Sequence, residues 1–382
     1  MVDVDRARIL GFRTARHHLD RRLAPDALTE AAGAAGIQES SLGTAGISFH
    51  ARIRGVTPDR LQSALNVDKS LVMVWAMRGA PYIVPTDEIA IFTTGSLPTD
   101  EESLGTYFGG WAKSLGDVGS SLEDLVTRVA EVADQVLDGR TLVVDELRHA
   151  IAGHMPEIRG LKPPSGAHTE LPEPLFRLLG QMGVACIVEP RRMTDAIIAR
   201  TDQWLGRKPK SIGADQARAE LSRRFLRCYG PASAKAFAEW TTRSVSDARS
   251  AFSDIETELV DDDSGERLLA EDLRALKARR KPSGVRLMPA HDPFLQQRDR
   301  ERLLPDQKKR KLLWRPVGAP GLLLVDGKAA GVWKASRDGG LLNLTVQPFA
   351  SICKSVRQAV SGEAEAIAPF RGAERAVVSY TG

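Results

Sequence analysis

The run LVMVWAMRGAPYIVP, residues 71–85, breaks the rhythm of the chain around it. β-Branched, apolar and aromatic residues crowd into 71–77 and 82–84, while Gly79 and Pro81 stand between them, which is the composition of two strands joined by a turn. Upstream the spacing is helical. Ile9, Phe12 and Leu19 recur among arginines in a helix over about 4–18. Pro25 opens PDALTEAAGAAG, and Gly36 closes it. A further helix runs from about 43 to 53 with Ser40 or Ser41 as its cap, and Thr57-Pro58 starts another that reaches about Ala64. Helices followed by a two-stranded hairpin follow the order of a winged helix, in which the hairpin is the wing, although many α+β domains share that order.

The order returns twice downstream. Helices are expected over 120–138, 141–152 and 174–181, followed by the strand VACIVEP; LKPPSGAHTELPEP, 161–174, reads as an exposed loop. AELSRRFLRCYGP then forms a helix stopped at Gly230-Pro231, SAKAFAEW another, and Ser244 to Asp247 the start of one more before ETELVDD. From about 283 the chain turns β-rich through VRLMPAHDPF, GLLLVDGKAAGVWKA and GGLLNLTVQPF, with Asp326-Gly327 as a hairpin turn. The expected fold class is α+β: three tandem winged-helix units over 1–115, 116–210 and 211–265, then a C-terminal β-rich domain over 266–382.

Hydrophobic residues make up 42% and charged residues 27% of the 382, so the chain is globular and long enough for several compact units. Cys186, Cys228 and Cys353 lie far apart without a CxxC pair, so they read as buried small hydrophobes in a reducing compartment, with neither a disulfide framework nor a metal site expected. MVDVDRARIL places charges where a signal peptide needs an apolar core, and no run approaches the roughly 18 apolar residues of a membrane span, so a cytoplasmic protein with no membrane partner is expected. No nucleotide-phosphate loop or nucleophile motif stands out, and no cofactor is expected. Lys and Arg number 53 against 49 Asp and Glu, and they cluster in RARILGFRTARHHLDRR, in RRFLR at 223–227, in ALKARRK at 275–281 and in QKKRKLLWR at 307–315. Such clusters are either a footprint for phosphates or the solvated faces of Arg-rich helices.

Five segments, AGIQES (35–40), VWAMRGAPYIVP (74–85), YGPASAKAFAEW (229–240), LMPAHDPFLQQRDR (287–300) and VDGKAAGVW (325–333), resemble in order the AlkZ-like family of bacterial winged-helix DNA glycosylases. The resemblance spans nearly the whole chain. It implies three winged-helix motifs and a C-terminal β domain around a DNA cleft, and glycosylases that remove alkylated purines and unhook interstrand crosslinks. The family's Gln-x-Gln or Gln-x-Asp catalytic motif falls on Gln38, Glu39 and Ser40, so the first residue is kept and the third departs from the pattern. Tyr82, behind Arg78-Gly79, takes the place of a histidine usual in the family.

A purine alkylated at N7 or N3 already carries positive charge and leaves readily, so a site acting on it must chiefly hold a water and stabilise an oxocarbenium-like sugar. The amide of Gln38 can orient that water, and the hydroxyl of Ser40 can share it over a shorter reach. Glu39 is the nearest carboxylate, and it replaces the missing group only if the backbone turns, since adjacent side chains diverge. The alternative for all three is a polar connection between helices. Arg78 is a phosphate contact at the wing or a salt bridge supporting the hairpin. Lys308, Lys309, Arg310, Lys311 and Arg315 form a phosphate clamp anchored by Leu312, Leu313 and Trp314, or a solvated loop, and Lys328, Lys334 and Arg337 extend that basic surface. His17, His18 and His50 read as surface or core residues, and Trp75, Trp240 and Trp333 as core. The leading function is a monofunctional glycosylase acting as a monomer on double-stranded DNA in the cytoplasm, associated with the nucleoid. The rivals are a non-catalytic winged-helix DNA-binding protein, regulatory or protective, and a scaffold binding a small genotoxic ligand.

Overall fold

The computed structural model describes residues 5–158, 161, 171–190, 195–261, 264–278 and 281–381. Most of the loop expected at 161–174, and Arg279 and Arg280 of the basic run at 275–281, lie outside the described residues. The chain is mixed α+β and divides into two compact units, Met1–Ala64 with Arg224–Ala232 and Thr257–Gly382, and Leu65–Arg223 with Ser233–Glu256.

In the second unit the hairpin at 71–85 forms as its composition requires. Leu71–Trp75 and Pro81–Pro85 pair antiparallel, Leu71 opposite Pro85 and Trp75 opposite Pro81. Met73 then pairs with Ile187 of Ala185–Glu189, which is followed across the sheet by Ile197–Arg200 and Thr141–Val143. Residues 141–143, expected as the start of a helix, are therefore a strand, and the helix begins at Val144. The cause is long-range: Ile197–Ala199 offers Thr141, Leu142 and Val143 a ladder, and pairing of that kind overrides local propensity. Helix Glu173–Gln181 packs so closely on the hairpin that a Cβ on Gly180 would lie 2.7 Å from the Trp75 nitrogen. Trp75 and Trp240 are completely buried, as expected of core residues.

In the first unit a five-stranded sheet runs in the order Arg375–Tyr380, Leu341–Pro348, Lys328–Asp338, Gly321–Val325, Val285–Met288. Its strands Val285–Met288 and Gly321–Val325 are buried on both faces, which explains the uninterrupted apolar run GLLLV. Leu323, Leu342, Leu344 and Val346 meet Val360, Ala364 and Ile367 of helix Lys354–Ile367, while Leu322, Leu324 and Val332 meet Leu19, Phe294, Leu303 and Leu313. Helix Thr44–Arg52 contributes Ile47 to the first cluster and Ala51 to the second. Its position is thereby fixed by the sheet, and with it the segment that precedes it.

One arginine of the N-terminal cluster is internal. Arg13, 1% exposed, donates to the carbonyls of Gly230 and Pro231, to Gln297 Oε1 and to both oxygens of Asp299. It joins three distant stretches of sequence. Arg22 and His50 share the carboxylate of Glu363. Cys186 and Cys228 are buried, whereas Cys353 is exposed, a correction to the expectation for all three. Cys353 precedes helix Lys354–Ile367 at its cap position, where the chain still faces solvent.

Candidate active site

After the short extended pair Ile37–Gln38 the chain turns into helix Thr44–Arg52, which is buried along its whole length. The first N–H groups of a helix have no partner within it, and Gly43, at the cap position with φ +86°, has no side chain to offer. Glu39 meets that need. One carboxylate oxygen accepts from Gly43 N and the other from Ala45 N, each at 2.6 Å. Thr44 Oγ1 accepts from Ser40 N at 3.1 Å and from Ser41 N at 3.2 Å, closing the turn from the other side. The expected cap, Ser40 or Ser41, is thus corrected to Glu39: the left-handed residue at Gly43 folds the chain back so that the longer carboxylate reaches the helix start. Gly43 itself is obligatory, because a Cβ there would lie 2.0 Å from the Phe370 carbonyl oxygen.

Burial pushes the Glu39 carboxyl up to about 7, opposed by the two N–H donors, Arg371 and Thr44. A carboxyl whose folded pKa is raised stabilises the fold fully below its unfolded value, near 4.5, and loses that contribution as pH rises through the folded value. Stability should therefore fall between about pH 4.5 and 7 and level off above. In Glu39→Gln this slope is expected to vanish, so that the difference between the two proteins shifts by about 2–3 kcal/mol between pH 5 and 8. Urea unfolding of both proteins across that range measures it; parallel curves would return Glu39 to the usual carboxylate range.

Gln38, half-buried, accepts a hydrogen bond on Oε1 from Gln296 Nε2 at 2.9 Å. Gln296 Nε2 also donates to the carbonyl of His291 at 3.1 Å. His291 is exposed and holds φ at +63°, a conformation uncommon for a residue with a side chain. Behind it Asp292 is bound by both terminal nitrogens of Arg52 at 2.8 Å and caps the turn Pro293–Gln296 by accepting from Phe294 N at 2.9 Å. A closed circuit results: Glu39 holds the start of helix Thr44–Arg52, Arg52 at its end holds Asp292, Asp292 holds the turn carrying Gln296, and Gln296 holds Gln38. The Ser40 hydroxyl lies 3.3 Å from Thr44 Oγ1 and 3.4 Å from the Ala290 carbonyl, on an exposed residue. Gln38, Glu39 and Ser40 thus face three different sets of partners.

The family model for DNA glycosylase AlkZ-like proteins matches residues 29–370. The chain belongs to the AlkZ-like DNA glycosylase family. It is similar to an interstrand DNA cross-link repair glycosylase of Streptomyces sahachiroi, 25% identical over 96% of each chain. The solved structure of Streptomyces sahachiroi DNA glycosylase AlkZ shares its fold, with a TM-score of 0.76 and 23% identity over the whole of both chains.

The remaining candidates of this AlkZ-like chain lie elsewhere. Arg78, in the second unit, adopts φ +60° and donates to the Trp240 carbonyl at 2.7 Å and to the hydroxyl of fully buried Tyr82 at 2.6 Å. Its guanidinium braces the hairpin against helix Ala234–Thr241. The basic tract is a helix, Gln307–Leu313, capped by Asp306. Arg310 donates to the carbonyls of Leu304 and Pro305, Lys309 lies over the Phe349 ring, Arg315 is half-buried, and Lys308, Lys311 and Lys328 are exposed. Gln296 and His291 are not singled out by reading the sequence; their signal is the segment 287–300, which carries the family resemblance without naming its own roles. Among the described residues no helix is long and apolar enough to cross a membrane.

Proposed function

We propose that this chain is a monofunctional DNA glycosylase that hydrolyses the N-glycosidic bond of alkylated or crosslinked purines in double-stranded DNA. We read 1–115, 116–210 and 211–265 as its winged-helix units and 266–382 as its β-rich domain, and take it to act as a monomer associated with the nucleoid. The observation that carries the reading is the amide of Gln38, held by Gln296 within a turn braced on both sides by buried acids, in a chain of the AlkZ-like family.

The bond from C1′ to the purine nitrogen breaks with its electron pair passing to the base, which cancels the positive charge of the alkylated ring. Water then bonds to C1′ and loses a proton to solvent, a step that needs no strong base because the oxonium formed is very acidic. Gln38 serves by fixing where that water stands, for an amide both donates and accepts. Glu39 is spent on the helix start and acts by positioning. Ser40 offers one hydroxyl where other members of the family offer a longer side chain.

Incubation with duplex DNA containing N7-methylguanine, followed by detection of free base and abasic site, tests the activity. Ser40→Gln, which restores a longer group, is expected to raise the excision rate several-fold. A wild-type protein that binds duplex but releases no base, with Ser40→Gln equally inert, would leave the non-catalytic DNA-binding reading standing.

A further inference from the structure

A groove of about 930 Å³ lies in the first unit, between the start of helix Arg6–Arg16, the segment 303–309 and the turn at Asp326-Gly327. Gln38, Glu39 and Ser40 do not line it. Five basic residues do, Arg6, Arg8, Lys281, Lys309 and Lys328, against three aspartates. The aspartates are spent on backbone. Asp5 caps the first helix through Arg8 N at 2.8 Å, Asp306 accepts from Lys308 N at 2.8 Å and Lys309 N at 3.2 Å, and Asp326 accepts from Gly284 N at 2.8 Å. Arg8 leans on Asp5 at 3.6 Å, and Arg6 donates to the carbonyl of Leu303 at 3.2 Å. The ammonium groups of Lys281, Lys309 and Lys328 are left without an ion pair to any described residue.

These lysines come from three separate segments, and the fold braces them together. A Cβ on Gly327 would lie 2.8 Å from Pro282, so the turn before Lys328 rests on the residue after Lys281. Phe349 N donates to the Ala330 carbonyl at 2.8 Å, and Lys309 lies 5.2 Å from the centre of the Phe349 ring. The floor between the charges is apolar, with Leu10, Leu304 and Phe349. Like charges gathered over an apolar floor repel one another, and an anion with a flat apolar part would satisfy both surfaces. The volume is that of a ligand site.

We propose that this groove is a nucleotide-binding site, in which Lys281, Lys309 and Lys328 take phosphates and the floor of Leu10 and Phe349 takes a base. Nucleotide phosphate comes from a free mononucleotide or from a DNA strand. The identity of the strand as substrate DNA rests on the glycosylase reading; the binding itself does not.

The experiment uses the full chain with two probes, deoxyadenosine monophosphate and single-stranded hexathymidylate. Lysine acetylation, followed by mass spectrometry, is expected to be suppressed at Lys281, Lys309 and Lys328 when probe is present and unchanged at exposed Lys208 and Lys210. Protection by both probes would identify a site for free nucleotides, and protection by the hexamer alone a site for a strand. In the triple variant Lys281→Gln, Lys309→Gln, Lys328→Gln, hexamer affinity should fall at least about 10-fold, and the slope of log affinity against log salt should drop by about 2, the share of three phosphate contacts on a single strand. Absence of protection with both probes, or an unchanged salt slope in a variant whose Tm matches wild type, would overturn the proposal. Base release is not the readout, so protein that binds the hexamer but leaves alkylated DNA intact would count against the glycosylase reading alone.

Discussion

Replacing Arg52 by methionine is expected to destabilise the protein by about 3–5 kcal/mol, the scale on which a buried ion pair loses one partner. Arg52 and Asp292 are 1% and 0% exposed, and the guanidinium meets both carboxylate oxygens at 2.8 Å while donating a further bond to the Ser48 carbonyl at 2.9 Å. Methionine fills most of the volume, so the loss is chiefly electrostatic: Asp292 is left buried with the N–H of Phe294 as its remaining side-chain donor among the described residues. That bond places the effect toward the lower end of the range. Removing both charges, in Arg52→Met with Asp292→Asn, should cost at least about 1 kcal/mol less than the two single changes added together, since each single change strands the other group. Urea unfolding of the four proteins closes the cycle. A cost under about 1 kcal/mol for the single change would mean that water reaches the pair.

The second expectation concerns chemistry. Gln38→Ala should slow excision of N7-methylguanine by about one to two orders of magnitude, the scale of a lost positioning contact, while duplex affinity stays within about two-fold. Binding is untouched because it rests mainly on contacts to phosphates. Gln296→Leu should reproduce part of the loss, as it removes the donor that holds Gln38 Oε1 at 2.9 Å and leaves Gln38 itself in place. Single-turnover rates at saturating enzyme separate the chemical step from association. Equal rates for wild type and Gln38→Ala would remove Gln38 from the reaction and point to another group as the holder of the water.

Reading the residues in order reveals what depends on near neighbours. The composition of 71–85 specifies a hairpin, because β-rich runs on either side of Gly79 and Pro81 leave the chain one compact way to pair. Helix Leu122–Val136 is equally legible: Ser121 caps it and Leu125, Val129 and Val136 line one face. The family resemblance marks Gln38, and Ser40 departs from the family's motif.

Long-range contacts settled the rest. Thr141–Val143 is a strand because Ile197–Ala199, more than fifty residues downstream, presents a ladder to it, and no local window contains that partner. Glu39 serves the helix start because a positive φ at Gly43 reverses the chain, and its altered proton affinity follows from burial. Gln38 meets Gln296, Arg52 meets Asp292, and Lys281, Lys309 and Lys328 share one groove. Helices and turns arise from interactions a few residues apart, whose pattern is written along the chain. A site draws its properties from exclusion of water and from groups far apart in sequence, and these exist once the sheet has closed over its two cores.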